Sequence, residues 1–162
     1  MIKYLTPAIA LVATVLCSQS ALAQQVPAPG SSAAMAASAP RDPALKSVFK
    51  DFGGKAGLTS LMDDFMANLM ADPRTRPYFA PVNRERVKAE LVDQFCVILD
   101  GPCTYTGRDM VSVHHGMGVD RADFNALVED LQKAMNKHGI PFRSQNKLLA
   151  KLAAMHNMII TK

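Results

Sequence analysis

Two adjacent histidines, His114 and His115, offer the clearest opportunity for chemistry in this chain, which has four histidines in 162 residues. They lie near the end of the stretch 108-RDMVSVHHGMGV-119. An imidazole can bind a metal, transfer a proton or lie in a core with its nitrogens satisfied. Successive helical residues point about 100° apart, so both histidines cannot face one metal ion from a regular helix.

The residues around the pair argue against several familiar histidine sites. A zinc site needs further His, Cys or acidic ligands, but Met110 and Gly118 stand one turn from His114. No Ser or Cys lies in a recognisable nucleophile motif. No Cys-x-x-Cys-His occurs, so the motif for covalent c-type haem attachment is absent from the sequence.

One histidine fits better as a lone ligand. Met110 precedes His114 by one turn on the same face, and Met117 follows it within a turn. His114 is therefore expected to emerge from an apolar stripe, while His115 points toward polar neighbours. Such an imidazole suits a large apolar cofactor with its own metal, such as haem, although a buried core histidine is the simpler alternative.

The elements that must position these residues are helical. Apolar residues recur at three- and four-residue steps, and no segment alternates convincingly as a strand, which predicts an all-α fold. The expected helices cover about 43–52, 55–71, 84–98, 108–114, 121–138 and 145–160. Asn83, Asp120 and Ser144 are the predicted N-caps of three of them.

The first residues predict export. Lys3, the apolar stretch 5-LTPAIALVATVLC-17 and the small-residue site 21-ALA-23 form a cleavable signal peptide over residues 1–23. The apolar stretch is too short to span a bilayer, so no stable membrane insertion is expected after cleavage. A lipoprotein would need a small residue before Cys17, where Leu16 stands. We therefore expect a periplasmic or secreted protein.

The mature chain is expected to have a linker and one domain. Residues 24–41 are rich in Ala, Pro, Ser and Gly and predict a flexible linker, followed by a folded domain over 42–162. Removing Lys3 lowers the formal net charge from +4 to +3, which with dispersed basic residues does not favour nucleic acid. Export favours a disulfide between Cys96 and Cys103; the alternative is two free thiols.

Four motifs occur in the order and spacing of a known family. They are 52-FGGKAGL-58, 63-DDFMANLMADPRTRPYF-79, 94-QFCVILDGPCTYTGRDM-110 and 114-HHGMGV-119. With them, residues 49–160 resemble a group I truncated haemoglobin, a small bacterial globin. The resemblance implies a two-on-two helical sandwich around a non-covalent haem b, whose iron binds O₂, NO and CO.

The resemblance also implies roles for individual residues. His114 matches the proximal iron ligand and is the one expected metal ligand. Tyr105 matches a loop tyrosine, either near the haem edge or only anchoring the loop, and Phe124 is expected to close the pocket. The complete set expected around the haem is Met66, Phe79, Val87, Leu91, Phe95, Tyr105, Met110, His114, Met117 and Phe124.

Departures from the family pattern predict an apolar distal pocket. Met66 stands where many members have a tyrosine, Leu91 where a glutamine is frequent, and Val87 replaces any distal histidine. A hydrogen bond to bound O₂ is worth about 1–3 kcal/mol. Its absence is expected to speed O₂ release roughly tenfold or more, at about 1.4 kcal/mol per decade.

Several alternatives stay open from sequence. Gln94 could turn toward the pocket or pack between helices, and Met66 could ligate the iron and raise its reduction potential. Glu90 stands where relatives often have a basic residue, which leaves three candidates for the haem propionates. These are Arg84, Lys88 and Arg108.

The expected function is gas binding at a His-ligated haem, in NO detoxification or in redox or gas sensing, with an electron donor that the sequence does not identify. NO dioxygenation requires a stable oxygen complex and that donor; the apolar pocket and the expected export argue against both. The alternative is a haem-free periplasmic helical interaction domain, in which His114 is a core residue.

Overall fold

A computed structural model describes residues 28–162 of the chain. The predicted signal peptide, and the first residues of the predicted linker, lie outside the described residues. The helices are α1 Ser32–Ser38, α2 Lys46–Asp51, α3 Gly54–Ala71, α4 Arg76–Phe79, α5 Arg84–Ile98, α6 Met110–His114, α7 Arg121–Lys137, α8 Phe142–Ala154 and α9 His156–Ile159, with a 3₁₀ turn at Pro43–Leu45 before α2.

The core forms where α3 packs against both α5 and α7, with α8 packing on α5 and α7. Apolar residues at helical spacing bring one face of each helix into this core. Its fully buried side chains include Leu58, Leu61, Met62, Leu69, Ile98, Leu131, Met135 and Leu148. The all-α prediction is confirmed, because residues 28–162 contain helices, turns and loops and no strand.

Two of the three predicted caps are confirmed. The Asn83 side chain accepts a hydrogen bond from the Arg86 amide at the start of α5. Asp120 forms a capping box with Asp123 at the start of α7. The prediction for Ser144 is wrong, because α8 begins at Phe142, after an extended Pro141 that has no N–H to satisfy. Ser144 is buried in the first turn of α8 and donates a hydrogen bond from its hydroxyl to Asp51.

The linker prediction is wrong for residues 31–39. This Ala-rich segment forms α1, capped by Ser31, and it packs against α6. Alanine has the highest helix propensity, and small side chains let two helices approach closely. Ala34, Ser38 and Ala39 are buried. Segment 31–39 has too few large apolar residues to form a core of its own, but its small side chains are sufficient to pack onto an existing core.

Cys96 and Cys103 are joined by a disulfide, with their Cα atoms 5.9 Å apart. The favoured pairing is confirmed, and the alternative of two free thiols is wrong. The bond ties the C-terminal end of α5 to the loop over 100–109 that leads into α6. None of the helices within residues 28–162 is long and apolar enough to cross a bilayer.

Candidate functional site

The short helix α6, which carries His114, is fixed at its start by a buried carboxylate. Asp109 is 1% exposed and accepts hydrogen bonds from the Ser112 amide (3.0 Å) and the Gly30 amide (2.9 Å). The bonds from Ser112 and Gly30 lower the pKa of Asp109, which keeps this cap ionised. At the other end, Gly116 and Gly118 have positive φ and turn the chain away from the helix.

The His114 ring is half-buried, and its Nδ1 lies 2.8 Å from the carbonyl oxygen of Met110. A carbonyl oxygen only accepts, so Nδ1 carries the proton and the lone pair stays on Nε2. Burial lowers the pKa of His114, which favours the neutral ring that metals bind. His115 is exposed, in agreement with the different directions that helical geometry predicts for the two side chains.

The fold gathers most of the predicted haem-contacting residues into or against one apolar cluster. Met66, Phe95 and Met110 are buried members of this core cluster. The half-buried residues that pack against it include Phe79, Val87, Leu91 and Tyr105. These residues come from four separate parts of the chain and belong to or pack against the same apolar core.

Helix α5 is packed unevenly along its length. Residues 94–98 are all buried, whereas no residue of 84–91 is fully buried. Within 84–91, Val87 and Leu91 lie one turn apart and retain accessible apolar surface. These two side chains are therefore candidate contacts for an apolar ligand.

Two predicted residues are not brought into this cluster. Met117 is 37% exposed, because the turn between Gly116 and Gly118 leads the chain out of the α6 helix. Met117 therefore lies outside the apolar cluster, and its contact with haem stays a prediction. Phe124 is buried on α7 but packs edge-on against the His156 ring, with centroids 5.2 Å apart. Its role in closing the pocket stays a prediction.

Gln94 packs between helices. Its side chain is 4% exposed, and its amide donates to the Ser38 carbonyl oxygen (2.6 Å) and the Met110 sulfur (3.5 Å). The alternative in which this amide turns toward the pocket does not agree with the structure. The amide is held because α1, which the sequence did not predict, offers it a buried carbonyl acceptor.

Tyr105 anchors the loop that leads into α6. Its hydroxyl donates to the Arg108 carbonyl oxygen at 2.7 Å, and burial raises its pKa to about 12. A Cβ added to Gly107 would lie 2.6 Å from the Tyr105 ring and 2.2 Å from a Glu90 carboxylate oxygen. A side chain at residue 107 would therefore have to displace the Glu90 carboxylate and the Tyr105 ring.

The three basic residues considered for the haem propionates differ in how many protein partners they already have. Lys88 pairs with Asp63 (2.7 Å) and Glu85 (2.9 Å), and both contacts raise its pKa. Arg84 donates to the Ala80 carbonyl oxygen at 3.4 Å. Arg108 is exposed and forms no salt bridge within residues 28–162, so it has the most freedom to pair with an incoming carboxylate.

Sequence reasoning missed Ser38 and the capping role of Asp109. An aspartate just before a helix is a recognisable cap signal, so Asp109 could have been found. A serine in an Ala-rich stretch carries no comparable signal for contacts with distant helices.

Comparison with known proteins identifies the family. The family model described as bacterial-like globin matches residues 47–161. The chain belongs to this family. The group 1 truncated hemoglobin GlbN of Mycolicibacterium paratuberculosis is 29% identical over 115 residues, which cover 71% of this globin and 85% of the relative. A group 1 truncated hemoglobin of Tetrahymena thermophila is 30% identical over 93 residues, covering 57% and 77% of the two chains.

Solved structures share the fold of this globin. The truncated hemoglobin of Tetrahymena pyriformis in its Fe(III) form has a TM-score of 0.68 at 21% identity, covering 71% of this chain and 98% of that one. The 2/2 hemoglobin of a Synechococcus species, in the cyanomet state with covalently attached heme, has a TM-score of 0.65 at 17% identity and the same coverage. The predicted two-on-two sandwich is thereby confirmed. Globin membership implies haem-based binding of gases.

Proposed function

We propose that this globin binds a non-covalent haem b through Nε2 of His114 and takes up diatomic gases, namely O₂, NO and CO. The observation that carries the proposal is the bond between His114 Nδ1 and the Met110 carbonyl, beside an apolar cluster. That bond leaves Nε2 with its lone pair and restrains the ring, as partners of metal-binding histidines do. Bound haem supplies an iron with a coordination position open to a gas.

The remaining residues of the proposed site would hold the haem in two ways, by apolar packing on its faces and by a charge contact at one edge. Phe79, Val87 and Leu91 offer partly open apolar surface for packing. Arg108 is the proposed partner of a haem propionate, because guanidinium groups pair well with carboxylates. The absence of a Cys-x-x-Cys-His motif supports the non-covalent b-type group.

The side chains proposed to face the gas are Met66, Val87 and Leu91, and none of them can donate a hydrogen bond. O₂ gains from a donor more than CO does, so we propose that this pocket releases O₂ quickly and holds CO and NO. Met66 is 6% exposed and packed in the core, which supports a wall of the pocket and not an iron ligand.

We further propose an exported protein, on the evidence of the signal-peptide pattern in residues 1–23. Outside the cytoplasm, a role in NO detoxification or in redox or gas sensing needs an electron donor of that compartment. The disulfide is compatible with an oxidising environment.

The decisive experiment uses an absorption spectrum. The full chain is expressed under haem-replete conditions, and we expect a Soret band that remains through gel filtration. His114→Gly should abolish or strongly weaken the band, and added imidazole should restore it because it replaces the missing ligand. His115→Gly is the matched control and should keep the wild-type spectrum, because His115 is exposed.

Two results would overturn the proposal. A colourless, stably folded wild-type chain would show that the site does not hold haem and would favour a haem-free interaction domain. Loss of the band in His115→Gly but not in His114→Gly would show that the other histidine is the ligand.

A further inference from the structure

The segment before the family-matched region is built into the α6 side of the site. The bacterial-like globin model begins at residue 47, yet residues 30–41, here called the N-terminal clasp, contact the α6 region at both ends. The Gly30 amide donates to Asp109, which caps α6. The Arg41 guanidinium donates to the carbonyl oxygens of Gly101 (2.8 Å) and Cys103 (2.9 Å) in the loop before α6.

Between these ends, Ser38 makes the innermost contacts of the clasp. Ser38 is fully buried, with 0% exposure. Its hydroxyl donates to the Ala34 carbonyl oxygen and accepts from the Met110 amide, both at 2.8 Å. Its own carbonyl oxygen accepts from the Gln94 side chain at 2.6 Å. One residue therefore joins α1, α5 and α6.

The contact with Met110 reaches the proposed iron ligand through a single residue. The Met110 N–H donates to Ser38, and the Met110 carbonyl oxygen accepts from His114 Nδ1. The Met110 sulfur also accepts from Gln94. Met110 is thus held at its amide, its side chain and its carbonyl, and the orientation of that carbonyl determines where the His114 ring can hydrogen bond.

Helix α6 needs such external support. It has five residues, which is too short for a helix to be stable on its own in water. Met110 is its first residue, and a first-turn amide has no partner within its own helix. Asp109 accepts from Ser112, so the Met110 amide depends on the Ser38 hydroxyl.

We propose that Ser38 is a positioning residue, which fixes the His114 imidazole through Met110 and so makes the N-terminal clasp part of the haem site. The part of this inference that concerns haem binding rests on the proposed function. The geometric part concerns Met110 and His114 alone and can be measured without haem.

The test compares two serines of the same segment in the full chain. Ser38→Ala removes the partner of the Met110 amide, whereas Ser31→Ala removes only the cap of α1. We expect Ser38→Ala to release haem to excess apomyoglobin about tenfold faster, the change that ~1.4 kcal/mol produces. It should also shift the iron–histidine stretching band in the resonance Raman spectrum of the reduced protein. Ser31→Ala should leave that band in place and change haem release less than twofold.

A second measurement separates this inference from the proposed function. The nitrogen chemical shifts of the His114 ring report its tautomer and its bond to Met110 in the full chain prepared without haem. Ser38→Ala should shift the Nδ1 signal and speed hydrogen exchange at the Met110 amide, and Ser31→Ala should do neither.

Each pattern of results has one meaning. Equal effects of the two substitutions on the Raman band, haem release and ring nitrogens would overturn the positioning role, because general loosening of α1 would explain them. A wild-type chain that binds no haem would overturn the proposed function, and the ring nitrogens would then decide the positioning role alone.

Discussion

The two helices that flank the candidate site, α6 and α5, are constructed in opposite ways. On the α6 side, Asp109 and Met110 form hydrogen bonds with the N-terminal clasp, and His114 bonds to the Met110 carbonyl oxygen. On the α5 side, Val87 and Leu91 present apolar surface without donors. The one side-chain amide of α5, that of Gln94, donates instead to the Ser38 carbonyl oxygen.

The difference shows which property each side controls. Hydrogen bonds are directional, so a buried network fixes the position of a ring to within a few tenths of an ångström. Apolar contacts are not directional and favour any ligand of suitable size. If the proposed function is correct, we therefore expect the polar side to determine where the metal ligand lies and the apolar side to determine which gases stay bound.

The contrast between α5 and α6 requires that Gln94 does not act on the gas. We expect Gln94→Leu to lower the free energy of unfolding by about 2 kcal/mol, because it leaves the buried Ser38 carbonyl oxygen without its partner. Urea denaturation of the full chain measures this change. The O₂ release rate should stay within about twofold of wild type, because the amide faces α1.

The control for that substitution is Gln145→Leu. Gln145 is also buried, and its amide donates to the Ile140 carbonyl oxygen away from α6. A similar loss of stability is expected there. A tenfold faster O₂ release in Gln94→Leu alone, with the iron–histidine stretching band unmoved, would show that Gln94 serves the gas and that the two sides are not distinct.

A hydrogen-bond donor placed on the α5 side should slow O₂ release. Leu91→Gln introduces an amide where the half-buried leucine lies, and we expect O₂ release to slow about tenfold, since a hydrogen bond to a polarised ligand is worth about 1–3 kcal/mol. Stopped-flow displacement of O₂ by CO measures the rate. Leu91→Met, which keeps the volume without a donor, is the control and should change the rate less than twofold. Equal rates in the two variants would contradict the assignment of Leu91 to the gas-facing wall.

The smallest effect is expected at Tyr105. Tyr105→Phe removes the bond to the Arg108 carbonyl oxygen and should lower the free energy of unfolding by about 0.5–1.5 kcal/mol. The Soret and visible bands should not move, because the hydroxyl holds a loop. A shift of those bands with unchanged stability would instead place this hydroxyl at the haem edge.

Patterns local in sequence were predicted well and contacts distant in sequence were not. Asn83 and Asp120 were recognised as caps because a cap acts within three residues. The same reasoning was wrong for Ser144, since α8 already begins at Phe142 and the Ser144 hydroxyl donates to Asp51 of another helix. Helix α1 was missed because its stability comes from docking on α6, which composition does not reveal.

Local sequence patterns were enough to predict most of the helices, the family resemblance and the different orientations of His114 and His115, because a helix fixes the directions of neighbouring side chains. The sequence also determined that Met66, Val87 and Leu91 lack donors. Only the tertiary structure decided which nitrogen of His114 keeps its lone pair, because that depends on the Met110 carbonyl and on what holds it. The Ser38 hydroxyl accepts a hydrogen bond from the Met110 amide across 72 residues of chain, a distance over which only packing can bring two groups together.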